Sequence, residues 1–122
     1  MSKESKTGEV WSEQEVKLII PDYFEMLDAE LKGMKYNKSA HRRSLLPQLS
    51  GRSEGSIERK HQNISAVLIE LGLPYIDGYK HMDRYQTLLE KEVGEYLNDN
   101  PHLMKLFETS PILNPTQPKK IV

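Results

Sequence analysis

A Gly-Arg-Ser turn at residues 51–53 constrains the fold of this chain more than any other feature. Gly51 has ready access to the left-handed backbone conformation that ends a helix. Ser53 or Ser56 can cap the next helix by accepting a hydrogen bond from one of its free backbone amides. A short corner of this kind between two helices is typical of a helix-turn-helix. The turn therefore predicts an all-α fold that is organised around this corner.

The first helix is predicted to run from Ser12 to a stop at Gly33. Ser12 and Glu15 have the spacing of a capping box, in which each side chain bonds to the backbone amide of the other residue. Pro21 removes one backbone hydrogen bond, but it falls on the polar side of the helix, so we expect a kink and not a break. Apolar residues at helical spacing mark the side that faces the core: Val16, Ile19, Ile20, Tyr23, Leu27 and Leu31.

Two helices flank the corner. The second is expected to begin near Asn37 or Ser39 and to reach about Leu49. The third is expected over about 54–71, because Gly72 is followed by a Leu-Pro pair that stops a helix. These two helices and the turn between them form the predicted recognition unit.

The C-terminal part of the chain predicts two further helices. A fourth is capped at Asp83, and Asn100 with Pro101 opens a short fifth helix through Phe107. The tail beyond it contains three prolines and is expected to be extended. The expected organisation is a disordered N-terminus at 1–10, a three-helix core at 11–72, C-terminal helices at 83–108 and an extended tail or linker at 109–122.

The positive charge of the chain is concentrated in one region. The net charge is −1, but residues 32–61 hold eight Lys or Arg and only two acids. A local excess of cations attracts polyanions whatever the overall charge, because salt screens charges that lie farther than about 10 Å away. Double-stranded DNA is therefore the expected partner, although a solvated basic face is the alternative reading.

Unrolling the third helix at 100° per residue separates a buried side from an exposed one. The stripe predicted to be buried contains Ile57, His61, Ile64, Leu68 and Leu71. The opposite side carries Arg59, Gln62, Asn63 and Ala66. Arg, Gln and Asn are the side chains that bond bidentately to base edges in the major groove, although a face opposite an apolar stripe can also be simply solvated. Groups on both sides of this helix are predicted to contact phosphates: Lys38, Arg42, Arg43, Arg52, Ser53 and Lys60.

Two segments resemble Myb and SANT repeats. The run Trp11-Ser-Glu-Gln-Glu15 resembles their Trp-Ser/Thr-x-x-Glu opening, and residues 49–57 resemble their Leu-x-Gly-Arg-Thr/Ser-x-x-x-Ile entry into the third helix. The resemblance implies a three-helix, homeodomain-like core with one or two additional C-terminal helices. It also implies core positions at Leu45, Leu49 and Ile57, and base contacts from Glu58, Arg59 and Gln62.

The chain departs from that pattern in its tryptophans. Myb repeats have three evenly spaced tryptophans, whereas this chain has only Trp11. The second position falls near Arg42, after a spacing about a dozen residues too long, and the third falls at His61. SANT domains of the same shape bind proteins, so the resemblance, which covers about residues 11–71, bears more on the fold than on DNA binding.

A second resemblance extends through Tyr79. The segments 36–38, 41–43, 51–58, 60–68 and 71–79 resemble an N-terminal module of bacterial multidomain proteins of the HNH-endonuclease or restriction type. In those proteins the module precedes a separate effector region. Because this chain has no HNH motif, the resemblance implies recognition without catalysis.

The sequence predicts neither an enzyme nor a cofactor or metal site. Cysteine is absent, and the four histidines lack the i, i+4 spacing of a helical metal site. His61 lies on the apolar stripe and is interpreted as a hydrogen-bonded core residue. There is no Gly-rich phosphate loop and no Gly-x-Ser-x-Gly elbow. No small-molecule substrate is expected.

A cytoplasmic location is expected, at the nucleoid if the chain binds DNA. The apolar runs of the chain are too short for a membrane span. Its N-terminus lacks the apolar segment that a signal peptide requires.

Two functions remain open. The first is a duplex DNA-binding module with its third helix in the major groove. The second is a SANT-like interaction or dimerisation domain, whose partner is a second copy or an effector protein. In that case the fourth and fifth helices would dock through Tyr85, Tyr96, Leu103 and Phe107, although these side chains equally suit the domain's own core.

Overall fold

The computed structural model describes residues 10–79 and 86–109, which form five α-helices and contain no strand. The helices are α1 (Glu13–Leu31), α2 (Lys38–Leu45), α3 (Glu54–Glu70), α4 (Thr87–Asp99) and α5 (Pro101–Thr109), with a 3-10 turn at Leu46–Gln48. The all-α class predicted from the sequence is confirmed. The predicted cap at Asp83, residues 1–9 and residues 110–122 lie outside the described part of the chain.

The predicted helix starts are present. The Ser12 amide donates to Glu15 Oε1 over 2.9 Å, and the Glu15 amide donates to Ser12 Oγ over 3.1 Å, which completes the capping box. Asn37 caps α2 and Ser53 caps α3 through side-chain oxygens that accept backbone amides over 2.9 and 3.1 Å. Local sequence signals therefore fix where the first three helices begin.

Helix α1 is the centre of the fold. It continues through the exposed Pro21, as expected, and packs against α2, α3, α4 and α5. The apolar stripe predicted for it is buried, and so are Phe24 and Met26, which lie outside that stripe. A helix that is covered on several sides is apolar around more of its circumference than one stripe.

The two C-terminal helices complete this core. Helix α4 packs on α1 and α3, and α5 packs on α1 and α4. Leu103 and Phe107 of α5 are buried, and Tyr96 of α4 stacks on Phe24 with ring centroids 5.2 Å apart. These side chains cover the chain's own core.

The segment after α3 is tied to the core by Tyr23. The Ile76 amide donates to the Tyr23 hydroxyl over 3.0 Å, and that hydroxyl is hydrogen-bonded to Ser65 Oγ over 2.8 Å. Burial raises the pKa of Tyr23 far above its usual value. Tyr79, at the end of this segment, is also buried.

The prediction that Leu71 belongs to the buried stripe of α3 is wrong, because its side chain is 51% exposed. Helix α3 ends at Glu70, and the chain turns at Gly72 with a φ of 72°. The helical wheel placed Leu71 on the buried stripe because it assumed that helical geometry continues beyond Glu70.

Among the described helices, none combines the length and apolar character that a membrane span requires.

Candidate nucleic-acid interface

Gly51 and Ser53 at the corner between α2 and α3 have the predicted conformations, but the prediction that α2 reaches about Leu49 is wrong. The α-helix ends at Leu45, and the chain continues to the corner as the 3-10 turn that contains Pro47. Leu49 is buried, its amide donates to the carbonyl of Leu45 over 3.0 Å, and the Arg52 amide donates back to the carbonyl of Leu49. Gly51 has a φ of 85°, in the left-handed region that favours glycine. Ser53 then starts α3. The two helices are therefore joined by residues 46–53, a 3-10 turn followed by the glycine corner, with the buried Leu49 as the anchor.

Three of the four predicted base-reading residues reach the surface. Arg59 is exposed on α3, and Glu58 and Gln62 are partly buried. Ser53, predicted to contact a phosphate, is exposed as well.

The prediction that Asn63 reads bases is wrong. Asn63 is only 7% exposed, and Ala66, assigned to the same outward face, is 3% exposed. Helix α3 packs against both α1 and α4, so that two sides of it are covered. A wheel with a single apolar stripe does not show the second covered side, because Asn and Ala are not marked as apolar core residues.

The prediction that Arg52 contacts phosphate is also wrong, because its side chain is buried in the protein. Its Nη2 donates to Glu15 Oε1 over 2.8 Å, and its Nε donates to Glu15 Oε2 over 3.0 Å. The guanidinium lies 4.8 Å from the centroid of the Trp11 ring, and Nη2 also donates to the carbonyl of Val10 over 3.1 Å. Arg52 therefore joins the corner to the N-terminal end of α1.

Lys60 is the second predicted phosphate contact that the structure buries. It is 8% exposed, its Nζ lies 5.2 Å from the Trp11 ring centroid, and it donates to Gln86 Oε1 over 3.0 Å. The Gln86 side-chain Nε2 in turn donates to the carbonyl of Trp11 over 3.2 Å. Burial, together with the charge of Arg52, lowers the pKa of Lys60 to about 8. We refer to Trp11, Glu15, Arg52, Lys60 and Gln86 as the Trp11 cluster.

The cationic side chains of α2 differ in their exposure and in their hydrogen bonds to the rest of the protein. Arg43 is exposed. Arg42 is partly buried and donates from Nη1 to the Tyr79 hydroxyl over 3.0 Å. Lys38 is partly buried too; it donates to the carbonyl of Asp77 over 3.2 Å and lies 5.3 Å from the Tyr79 ring centroid. Arg43 is thus the α2 cation most available to a phosphate.

A group of histidines and carboxylates lies between α1, α2 and α3. His41 Nδ1 is 2.7 Å from Asp22 Oδ1, and His61 Nε2 is 3.3 Å from Asp22 Oδ2. Glu25 completes a set in which Asp22, Glu25 and His41 each bring one oxygen or nitrogen within 4.8 Å of the others. No local pattern in the sequence marks this group, since its members come from three different helices.

His61 is a core residue as predicted, but the hydrogen bond expected of it is not formed. Its ring is fully buried, and neither ring nitrogen has a hydrogen-bond partner among the described residues. The ring instead packs beside those of Tyr79 and Tyr23, with centroids 5.2 and 6.0 Å away. Burial lowers the pKa of His61, and the carboxylate of Asp22 opposes that effect.

No protein-family model, curated protein or solved structure matches this chain. The resemblances to Myb and SANT repeats and to the bacterial N-terminal module remain predictions, which rest on the residues quoted for them.

Proposed function

We propose that this chain is a non-catalytic duplex DNA-binding module that places α3 in the major groove. Arg59 and Gln62 would contact base edges, with Glu58 beside them, and Arg43 and Ser53 would contact phosphates. The observation that supports this most is the capped corner between α2 and α3, which leaves Arg59 exposed on the second helix of the pair. Following the second resemblance, the module would direct a separate effector to its site.

Fewer cations are available to contact DNA than the sequence predicted. With Arg52 and Lys60 buried, the cations of α2 and α3 that remain at least partly exposed are Lys38, Arg42, Arg43 and Arg59. Each phosphate neutralised on B-DNA contributes about 0.9 to the slope of log affinity against log salt concentration. Arg59 is assigned to a base edge, so phosphate contacts from Lys38, Arg42 and Arg43 give a slope of about −2.7 at most. We therefore expect moderate affinity that falls clearly with salt.

The test is binding of mixed-sequence duplex DNA, measured by fluorescence anisotropy across a salt series. Arg43→Ala should weaken binding to all sequences and reduce the salt slope by about 0.9, the loss of one phosphate contact. Arg59→Ala should change the preference among sequences, by about 1–3 kcal/mol at the base pair it contacts. Lys91→Ala is the matched control, because Lys91 is an exposed cation on α4, outside the corner.

Two outcomes would refute the proposal. One is absent or salt-independent binding by the folded protein. The other is a Lys91→Ala variant that loses as much affinity as Arg43→Ala, because binding would then follow net charge and not the corner.

The alternative, an interaction or dimerisation domain, remains a prediction. Two of the side chains assigned to docking, Leu103 and Phe107, are buried in the core, and Tyr96 stacks on Phe24. Tyr85 lies outside the described residues. The described contacts of α4 and α5 thus favour the reading in which these helices cover the core.

A further inference from the structure

We propose that Asp22, Glu25 and His41 form a binding site for a divalent transition-metal ion, with Zn²⁺ as the ion that suits them best. Helix α1 presents Asp22 and Glu25 one turn apart, on neighbouring positions of its surface. Helix α2 brings His41 to the same place, and one potential ligand atom from each residue lies within 4.8 Å of the other two. Atoms that coordinate one Zn²⁺ tetrahedrally are roughly 3.4 Å apart, given the usual ligand distances. Small side-chain rotations therefore suffice to close the site.

An independent observation comes from His61, which lies behind Asp22. His61 is fully buried, and neither of its ring nitrogens has a hydrogen-bond partner among the described residues. Its Nε2 lies 3.3 Å from Asp22 Oδ2, an oxygen that is itself buried without a hydrogen bond. Buried polar atoms without partners are rare and unfavourable. The two atoms without partners, His61 Nε2 and Asp22 Oδ2, therefore indicate that a ligand binds at this place.

Metal binding would bring His61 Nε2 and Asp22 Oδ2 into a hydrogen bond with each other. If Asp22 coordinates an ion through Oδ1, a small rotation of its carboxylate lets His61 Nε2–H donate to Oδ2. Carboxylates that bind metals are commonly held in this way by a hydrogen bond from a neighbouring side chain. His61 would thus hold the ligand Asp22 in place from the core.

The donor set indicates which ion fits. One imidazole nitrogen with two carboxylate oxygens suits Zn²⁺, whereas Mg²⁺ and Ca²⁺ prefer sites made of oxygen alone. Glu25 is exposed and the His41 side chain is 20% exposed, so an ion can enter from solvent and keep a water ligand.

The test is titration of the full chain with Zn²⁺ by isothermal calorimetry, with Mg²⁺ as the comparison ion. We expect one Zn²⁺ per chain, bound more tightly than Mg²⁺. Glu25→Gln and His41→Ala should each weaken Zn²⁺ binding roughly tenfold or more, since even changes to groups around the ligands have effects of this size. Glu25 is exposed, so Glu25→Gln should leave the fold intact.

Two controls exclude other sites. Glu95→Gln changes an exposed glutamate of α4 and should leave Zn²⁺ affinity unchanged. The double variant His81→Ala/His102→Ala removes the chain's other two histidines and should also bind Zn²⁺ like the wild type. In NMR spectra, Zn²⁺ should shift the ring signals of His41 and leave those of His102 in place.

Three results would overturn the inference: no Zn²⁺ binding by the folded wild type, wild-type affinity in both Glu25→Gln and His41→Ala, or loss of binding in the His81/His102 variant. Either of the first two results would mean that His41 and Asp22 form only a hydrogen bond with each other and no metal site. None of these results depends on DNA, so the outcome is separate from that of the DNA-binding proposal.

Discussion

Removal of the Arg52 side chain distinguishes a structural role from the phosphate contact that the sequence suggested. In the structure, Arg52 forms a bidentate ion pair with Glu15, and both residues are less than 10% exposed. The pair joins the turn before α3 to the first turn of α1. Arg52→Ala would leave the buried Glu15 carboxylate without its guanidinium, although the Ser12 amide would still donate to it.

The expected cost follows from this burial. Breaking a buried ion pair by removing one partner costs about 3–5 kcal/mol, because the other charge stays behind. The contact of the guanidinium with Trp11 adds about 1 kcal/mol. The two contributions together amount to about 4–6 kcal/mol. Since 1 kcal/mol shifts the Tm of a domain of about 100 residues by about 4–8 °C, we expect Tm to fall by at least about 16 °C.

The assays are urea unfolding, which measures the free energy of unfolding, and thermal unfolding, which measures Tm, both followed by circular dichroism. Arg43→Ala is the matched control, because Arg43 is exposed and its removal should change stability by no more than about 0.5 kcal/mol. Arg52→Lys keeps the charge but not the bidentate fork, and should fall between the wild type and Arg52→Ala. If Arg52→Ala is as stable as Arg43→Ala but binds DNA more weakly, the structural assignment of Arg52 is refuted.

Two further predictions concern buried groups that the sequence assigned to binding. Burial lowers the pKa of Lys60 from 10.5 to about 8, so between these pH values the unfolded chain binds more protons than the folded one and stability should rise with pH. Urea unfolding at several pH values in this window should show that rise in the wild type, and a Lys60→Met variant that keeps it would contradict the origin assigned to it. Phe107→Ala should cost about 3–5 kcal/mol because it empties a core position. Thermal unfolding measures this cost against Met104→Ala, at a site that is 37% exposed; equal stability of the two variants would show that α5 is not part of the core.

Features set by neighbours in sequence were predicted correctly. The capping box of Ser12 and Glu15, the cap at Ser53 and the left-handed Gly51 each depend on residues within a few positions, so the sequence contains all the information they need. The same holds for the central apolar stripe of α1. These features are enough to predict the all-α class and the corner.

Features set by distant contacts were not predictable in this way. Arg52 and Glu15 are 37 positions apart, and the capping box alone accounts for Glu15 in the sequence. Asn63 is buried although it is polar, on a helix that has two covered sides. The group around Asp22 is assembled from three helices, and its histidines have no spacing that would mark it in the sequence.

The Trp11 cluster gives the chain a built-in optical reporter. Trp11 is the only tryptophan, and it is 5% exposed. Its ring lies against cations from the corner and from α3, and Gln86 at the start of α4 binds its carbonyl. The emission spectrum of the unlabelled protein therefore reports on a single place, where the start of α1, the corner and the start of α4 meet. Any event that separates these three elements will be visible as a red shift, without a dye and without a substitution.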